Sequence, residues 1–359
     1  MRLQRLNPLV NFGLKLLRQP TDLNFDRIRA EVICPEETQP CKPLAYLEGQ
    51  LDKATAPIKG FDTLANELAI LRATEVRHAP TIRYTLSNCI VHDAGFDVLG
   101  GAWRKKGIDR PDFLIQPITE LASLSYCMSS VSHRYFGHWL QDAYTSALLA
   151  QPNEGLLLDV HTDGGHATDY VKAAGLSPLP AGVYLARELH CYQDHGQGPS
   201  KRARIAELRA RLAAAIPDGD RYAPGSAVYF RRGHSGVARL IENEDELMRA
   251  LTAKGFEVFD LEGASVSDIQ QRFRHARTVV SIEGSQQCHL TFALPPGASL
   301  ISLIPSDRFS VVLLGYARAI ELQWGCVVID RVEHGYHVNV DDVLRTLDLA
   351  ERQREGKCE

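Results

Sequence analysis

Three short stretches hold the side chains able to do chemistry. The first contains His138-Trp139-Leu140-Gln141-Asp142. If this segment is helical from about Gly137, His138 and Asp142 stand at i and i+4 and face the same way, beside an apolar stripe of Trp139, Ala143 and Ala147. A carboxylate next to an imidazole can take a proton from a hydroxyl, with either group serving as the base. The same pair also occurs as an ordinary structural hydrogen bond. The second stretch is Tyr229-Phe230-Arg231-Arg232-Gly233-His234, with Arg239 farther along. Paired arginines at the carboxyl end of a strand are placed to neutralise a diphosphate. The third is Glu283-Gly284-Ser285-Gln286-Gln287-Cys288-His289. There a glycine permits a tight turn and a close approach, Ser285 is placed to cap a helix from Gln286, and Gln286 and His289 lie on one side of that helix. Backbone N–H groups at such a helix start suit a phosphate.

The elements that must hold these residues follow from hydrophobic periodicity. Residues 30–33 read as a strand, and 81–91 with 96–99 as a hairpin turning at Asp93-Ala94-Gly95. An apolar strand at 156–160, a helix at 166–174 closed by Gly175, and a strand at 182–185 come next. The Arg- and Ala-rich segment 201–215 reads as the last helix of a first domain, and Pro217-Asp218-Gly219-Asp220 as a linker. Beyond it the alternation is regular. Strands at 227–230, 256–261, 278–282 and 299–303 are separated by helices at 243–254, 266–275 and from 286 onward. Asn243 with Glu246 resembles a capping box, and Gly255 supplies a stop. Such alternation implies a parallel, doubly wound sheet, with a helix over 341–354 closing the chain. The organisation expected is a basic segment 1–22, an α/β domain 23–217, a Rossmann-like domain 218–337, and a terminal helix and tail 338–359.

The chain has 359 residues, 45% hydrophobic and 23% charged, which suits a folded protein with more than one core. A net charge of -4 gives no general attraction to nucleic acid. Eight scattered cysteines without a Cys-x-x-Cys pair argue against a zinc knuckle or a disulfide framework, and fit reduced thiols in cytoplasm. The thirteen histidines form no His-x-x-x-His pattern, so no metal site is expected. No apolar run approaches bilayer length. Residues 1–20 carry Arg2, Arg5, Lys15 and Arg18 and no acid, interleaved with leucines. They read either as a basic segment able to lie on an anionic membrane or as a helix docked on its own domain.

Tyr229-Phe230-Arg231-Arg232, Arg239-Leu240-Ile241-Glu242-Asn243-Glu244, Gly255-Phe256-Glu257-Val258, and Val280 through Glu283-Gly284-Ser285 to Leu294-Pro295-Pro296-Gly297-Ala298 form an ordered series. With His138-Trp139-Leu140-Gln141-Asp142 upstream, it resembles glycosyltransferase family 61 over roughly residues 120–305. The resemblance implies a GT-B-like α/β fold of two Rossmann-like domains facing a cleft, and an inverting, metal-independent transfer from a nucleotide-sugar, a UDP-sugar foremost, to a glycan or lipid-linked glycan. It also implies that Arg231, Arg232 and Arg239 contact the donor diphosphate, that Glu283, Gly284, Ser285, Gln286, Gln287 and His289 line the nucleotide-sugar, and that Asp142 with His138 faces the acceptor hydroxyl. No cofactor is implied. Bacterial capsule or envelope polysaccharide is the acceptor class expected, made in the cytoplasm or at the inner membrane. The alternatives are transfer of a pyruvyl or phosphoryl group to a glycan, and a non-catalytic sugar-binding component of a polysaccharide assembly complex.

Overall fold

The computed structural model describes residues 6–16, 23–105, 116–158, 165–219, 222–233 and 239–356. The chain divides into two compact units. Unit 1 comprises residues 1–37 and 78–207, and unit 2 comprises residues 38–77 and 208–359. Residues 38–77, read from sequence as part of the first domain, therefore belong with the carboxyl-terminal unit. The division after 207 falls inside the helix Pro199–Ala215, ahead of the proline-rich linker expected at 217.

Unit 2 contains the doubly wound sheet that the alternation implies. Its strands are β10 (Ala227–Arg231), β11 (Phe256–Asp260), β12 (Thr278–Ile282), β13 (Ser299–Pro305), β14 (Gln323–Arg331) and the short β15 (Tyr336–His337). They lie in the order β11-β10-β12-β13-β14-β15, with the first five mutually parallel. The β-branched runs in β12 and β13 are buried on both faces, as a parallel sheet covered by helices requires. One face packs Tyr229, Val280, Ile301 and Val327 against Leu247, Leu251 and Val343. The terminal helix, Val340–Arg354, is thus part of this core. The other face carries the rings of Phe230, Phe259 and Phe273, with centroids 4.8 to 6.0 Å apart. The order places β10 and β12 side by side with their connections leaving in opposite directions. Ligands of open α/β sheets sit outside the strand carboxyl ends at this topological switch.

Residues 38–77 complete unit 2 through their backbone. The Ala45 N–H donates to the Trp324 carbonyl at 3.0 Å, and the Cys326 N–H donates to Ala45 O at 2.9 Å. Gly325 lies between, where any Cβ would collide with the Ala45 backbone. Gln50 accepts from the Val328 N–H at 2.9 Å, and the N–H groups of Thr55 and Ala56 donate to Ser306 O.

Unit 1 is built on β1 (Arg29–Cys34), β4 (Thr81–His92), β5 (Gly95–Val98), β6 (Gly101–Arg104), β7 (Ile118–Tyr126), β8 (Gly155–Leu157) and β9 (Val183–Gln193). A separate pair, β2 (Glu37–Pro40) with β3 (Glu75–His78), spans two of the chain's crossings between the units. The unit 1 sheet runs β6-β5-β4-β9-β7-β8, with β1 also on β4. The β4–β5 hairpin turns at Asp93-Ala94 as expected. This sheet departs from a Rossmann-like one: β4 is antiparallel to β9, β5 and β1, and only β9, β7 and β8 run parallel. Hairpin connections among β4, β5 and β6 impose the antiparallel part, because a short turn reverses the chain.

One helix start differs from the sequence reading, and another carries a cap that the reading did not assign. Asn243 and Glu246 form no capping box; the Asn243 side-chain oxygen accepts from the Val338 N–H at 3.0 Å and its amide donates to Val338 O at 2.9 Å. The capping box is at Ser265 and Asp268, heading the helix Val266–Phe273.

Candidate functional site

On unit 2, chemistry gathers where β10 and β12 end. Arg232 follows β10 directly, and its Nη1 donates to Gln286 Oε1 at 2.7 Å. Arg239 returns to the same place, donating from Nη1 to the Glu283 carbonyl at 2.8 Å, with Nη2 3.4 Å from the Glu283 carboxylate. Arg239 and Glu283 are each 7% exposed along the side chain. Arg239 Nε is buried without a hydrogen-bond partner, an expensive arrangement that an anionic ligand would relieve. A third guanidinium, Arg308, lies near enough that its charge acts on both the others.

Arg232 and Arg239 thus share one carboxylate, Glu283, with the charge of Arg308 close by. Burial, then the neighbouring Arg239 and Arg308 charges, push Arg232 down to about 10 against the pull of Glu283. Arg239 is lowered by burial and by Arg308, again opposed by Glu283. Such a cluster wants an anion. Gly284 makes it possible, with φ 156°, because a Cβ there would overlap Arg232 Nη1, Arg239 Nη1 and Gln286 Oε1. Only glycine lets both guanidinium groups close over this backbone.

On unit 1 the helical segment from Phe136 to Leu149 carries the other group. It includes a π-helical turn, Trp139–Ala143, a feature often found at functional positions. Thr145 Oγ1 donates to Gln141 O at 2.7 Å and Ser146 Oγ to Asp142 O at 2.6 Å, satisfying carbonyls of that turn. Trp139, Tyr144 and Tyr170 are fully buried, with Trp139 stacked on Tyr144 and Tyr144 edge-on to Tyr170, anchoring the segment. His138 Nδ1 and Asp142 Oδ2 meet at 3.0 Å, both side chains about a quarter exposed.

Behind this pair stands Lys201, completely buried. Its Nζ lies 3.7 Å from Asp142 Oδ1 and donates to the Asp194 carbonyl at 2.8 Å. Arg204 holds Asp194 with bonds of 2.7 and 3.0 Å and also donates to Thr145 O at 2.9 Å. The carboxylate of Asp142 is therefore fixed from two sides. Such a pair can accept a hydroxyl proton on imidazole or carboxylate.

Residues 136–301 match the family described as Glycosyltransferase 61. The match, over less than half of the chain, supports a glycosyltransferase family 61 assignment and a glycosyltransferase enzyme class. The family 61 segment begins two residues before His138 and ends in β13, so it carries His138, Asp142, Arg232, Arg239, Glu283 and Gly284. No curated protein matches. Among solved structures, a mutant flavo di-iron protein from Thermotoga maritima is 11% identical with a TM-score of 0.28, covering 64% of this chain and 55% of its own. The flavodiiron protein from Giardia intestinalis is 10% identical with a TM-score of 0.25, covering 49% and 46%. The chain thus spans about half the length of these structures, and the likeness is too slight to use.

Within the family 61 segment the sequence-selected residues are placed unevenly. Arg232, Arg239, Glu283, Gly284 and Gln286 come together. Arg231 instead binds Glu244 at 3.1 Å and Asp260 at 3.2 Å, and these carboxylates, Glu244 first, hold its charge in place. Ser285 is exposed in a 3-10 turn, Ser285–Gln287, and makes no capping bond. Gln287 is a structural tie, donating to Ser281 O at 2.9 Å and accepting from Ser302 Oγ at 3.1 Å. His289 lies in the short, wholly buried helix Cys288–Ala293. His234 lies outside the described residues. Lys201 and Arg308 went unnoticed. Arg308 follows β13 just as Arg232 follows β10, and that position at a strand's carboxyl end was the available signal. Among the described residues, no three of His, Cys, Asp or Glu gather to hold a metal.

Proposed function

We propose that this glycosyltransferase moves a sugar from a nucleoside-diphosphate donor to a glycan hydroxyl with inversion, using side-chain cations in place of a metal. Unit 2 binds the donor diphosphate through Arg232, Arg239 and Arg308, with Glu283 and Gln286 holding the first two arginines in position. The His138–Asp142 pair of unit 1 takes the acceptor proton. The new bond forms between acceptor oxygen and anomeric carbon while the bond from that carbon to the diphosphate oxygen breaks. The negative charge that develops on the diphosphate falls among the guanidinium groups. This division of labour, donor on the doubly wound unit and acceptor on the other, is that of the GT-B arrangement implied by the family resemblance. A UDP-sugar donor, a bacterial capsule or envelope glycan acceptor and a cytoplasmic setting complete the reading.

The observation that carries the proposal is the closure of Arg232 and Arg239 over Gly284 beside Glu283, with the charge of Arg308 nearby, at the topological switch of unit 2. A thermal-shift screen against UDP-, GDP-, CMP- and dTDP-sugars, with and without EDTA, tests it. Selective stabilisation by one nucleoside-diphosphate sugar that survives EDTA and is lost in Arg239→Met is expected. Stabilisation that needs a divalent cation, or none with any donor, would overturn the metal-free donor site.

A further inference from the structure

Unit 2 holds a cavity of about 190 Å³ at the end of its sheet opposite the donor arginines. Segment 38–77 walls one side of it through Lys42 and Leu44. The stretch from the end of the helix Val312–Ala319 to the start of β14 walls the other, through Arg318, Glu321, Leu322 and Trp324. Because β14 runs parallel to β13 and β12, Trp324, its second residue, stands at the amino end of the strands, whereas Arg232 and Gly284 follow carboxyl ends.

Two donors on this wall lack acceptors. Trp324 is 2% exposed, and its indole Nε1 has no hydrogen-bond partner. A buried tryptophan ordinarily finds one, so the polar edge of this ring is left unsatisfied. Arg318 is half-buried, its Nε likewise has no partner, and its Nη2 makes a long contact to Ile70 O at 3.5 Å. Burial pushes this guanidinium down, with the Cys41 thiol pulling the other way, and among the described residues no carboxylate pairs with it. Together Lys42, Arg318 and Glu321 give the wall two cations against one acid. A guanidinium without a carboxylate, beside an unpartnered N–H, calls for acceptor oxygens that carry negative charge. The leucines on either side call for an apolar body behind them. A cavity of about 150 Å³ takes up benzene, so the space here suits one ring or a branched chain of similar size.

We infer that this cavity binds a compact carboxylate with an apolar body, the carboxylate facing Arg318 and the Trp324 indole and the body lying against Leu44 and Leu322. The inference involves no donor, acceptor or catalytic residue, so it stands or falls apart from the transferase reading. Benzoate is the probe, titrated calorimetrically into the full chain. Benzyl alcohol, which keeps the ring without the charge, and inorganic phosphate, which keeps the charge without the ring, are titrated beside it. Benzoate should bind at least about tenfold more tightly than either. Arg318→Met and Trp324→Phe should each weaken it about tenfold, since each removes a donor to a charged acceptor, while Arg239→Met should leave it unchanged. Arg318 gives up a single long hydrogen bond, so the ligand-free melting temperature of Arg318→Met should match that of the parent, which separates lost binding from lost folding. No benzoate binding by the parent, equal binding of benzyl alcohol, or undiminished binding by Arg318→Met would overturn the inference. So would loss of binding in Arg239→Met, which would move the anion to the donor cluster.

Discussion

Replacing Gly284 with alanine should disable the donor site while leaving the fold standing. The added methyl would overlap the tips of Arg232 and Arg239 and the amide oxygen of Gln286, which are the free ends of flexible side chains and not backbone. Those tips must swing away, breaking the 2.7 Å Arg232–Gln286 bond and the 2.8 Å bond from Arg239 to the Glu283 carbonyl. Two guanidinium groups are then lost to the ligand. A hydrogen bond involving a charged group contributes about 1.5–3 kcal/mol, so the pair represents about 3–6 kcal/mol, or roughly a hundredfold to ten-thousandfold in the dissociation constant of the nucleoside diphosphate. The backbone conformation, with φ 156°, adds a strain of about 1–3 kcal/mol to the folded state. Isothermal titration of UDP into parent and variant measures the first effect, and thermal denaturation without ligand the second. A folded Gly284→Ala protein that binds UDP within a few-fold of the parent would refute the assignment of these arginines to the diphosphate.

Other substitutions probe the remaining groups. Asp142→Asn should lower transfer by about two orders of magnitude or more, with donor affinity unchanged, because only the proton-accepting pair is altered; initial rates beside UDP titration would check this, and an unchanged rate would remove Asp142 from the reaction. Lys201→Met should cost about 3 kcal/mol of stability by leaving Asp142 and Asp194 without their shared buried cation, read by denaturant unfolding, and an unchanged midpoint would contradict the network. Glu67, whose carboxylate accepts the Val311 N–H at 2.7 Å, is raised above the ordinary carboxylate range by burial, helped by Asp62 and Glu283. A raised folded value means that its contribution is fully present below the unfolded value and is lost as pH rises through the folded one. Glu67→Gln should therefore raise the melting temperature at pH 7 relative to the parent, with the gain shrinking toward pH 4, and a pH-independent difference would count against this account.

The parts of the molecule legible in sequence are those built from local periodicity. The apolar runs at 227–230 and 278–282 and the helices between them announce a parallel sheet, because the inner strands of such a sheet are buried on both faces. The i and i+4 spacing of His138 and Asp142 survives because even a π turn leaves them on one side. Segment 38–77 gave no such signal. Its contribution to unit 2 is made by main-chain groups at Ala45, Thr55 and Ala56, and by one amide at Gln50, and none of these depends on a periodic side-chain pattern. Lys201 was hidden for another reason. In a helix rich in Arg and Ala, one lysine looks solvated, and only the tertiary placement of Asp142 and Asp194 shows why it is buried. His289 presents the reverse situation. Helical spacing set it beside Gln286, but the short helix that carries it is enclosed on all sides, so the ring belongs to the interior.

The way residues 38–77 are shared out constrains how the molecule can be made. A ribosome delivers this segment first, then all of 78–207, and only afterwards the strands beside which Ala45 and Gln50 must settle. Unit 1 can close as soon as residue 207 emerges, whereas unit 2 must wait for both of its pieces. A fragment starting at 208 would present β14 with its Ala45 partner missing and open carbonyl and N–H groups along that edge, the kind of surface that recruits other strands. Anyone seeking the donor-binding half alone would have to join 38–77 to 208–359 through a new linker, since no single cut of the natural chain releases it whole.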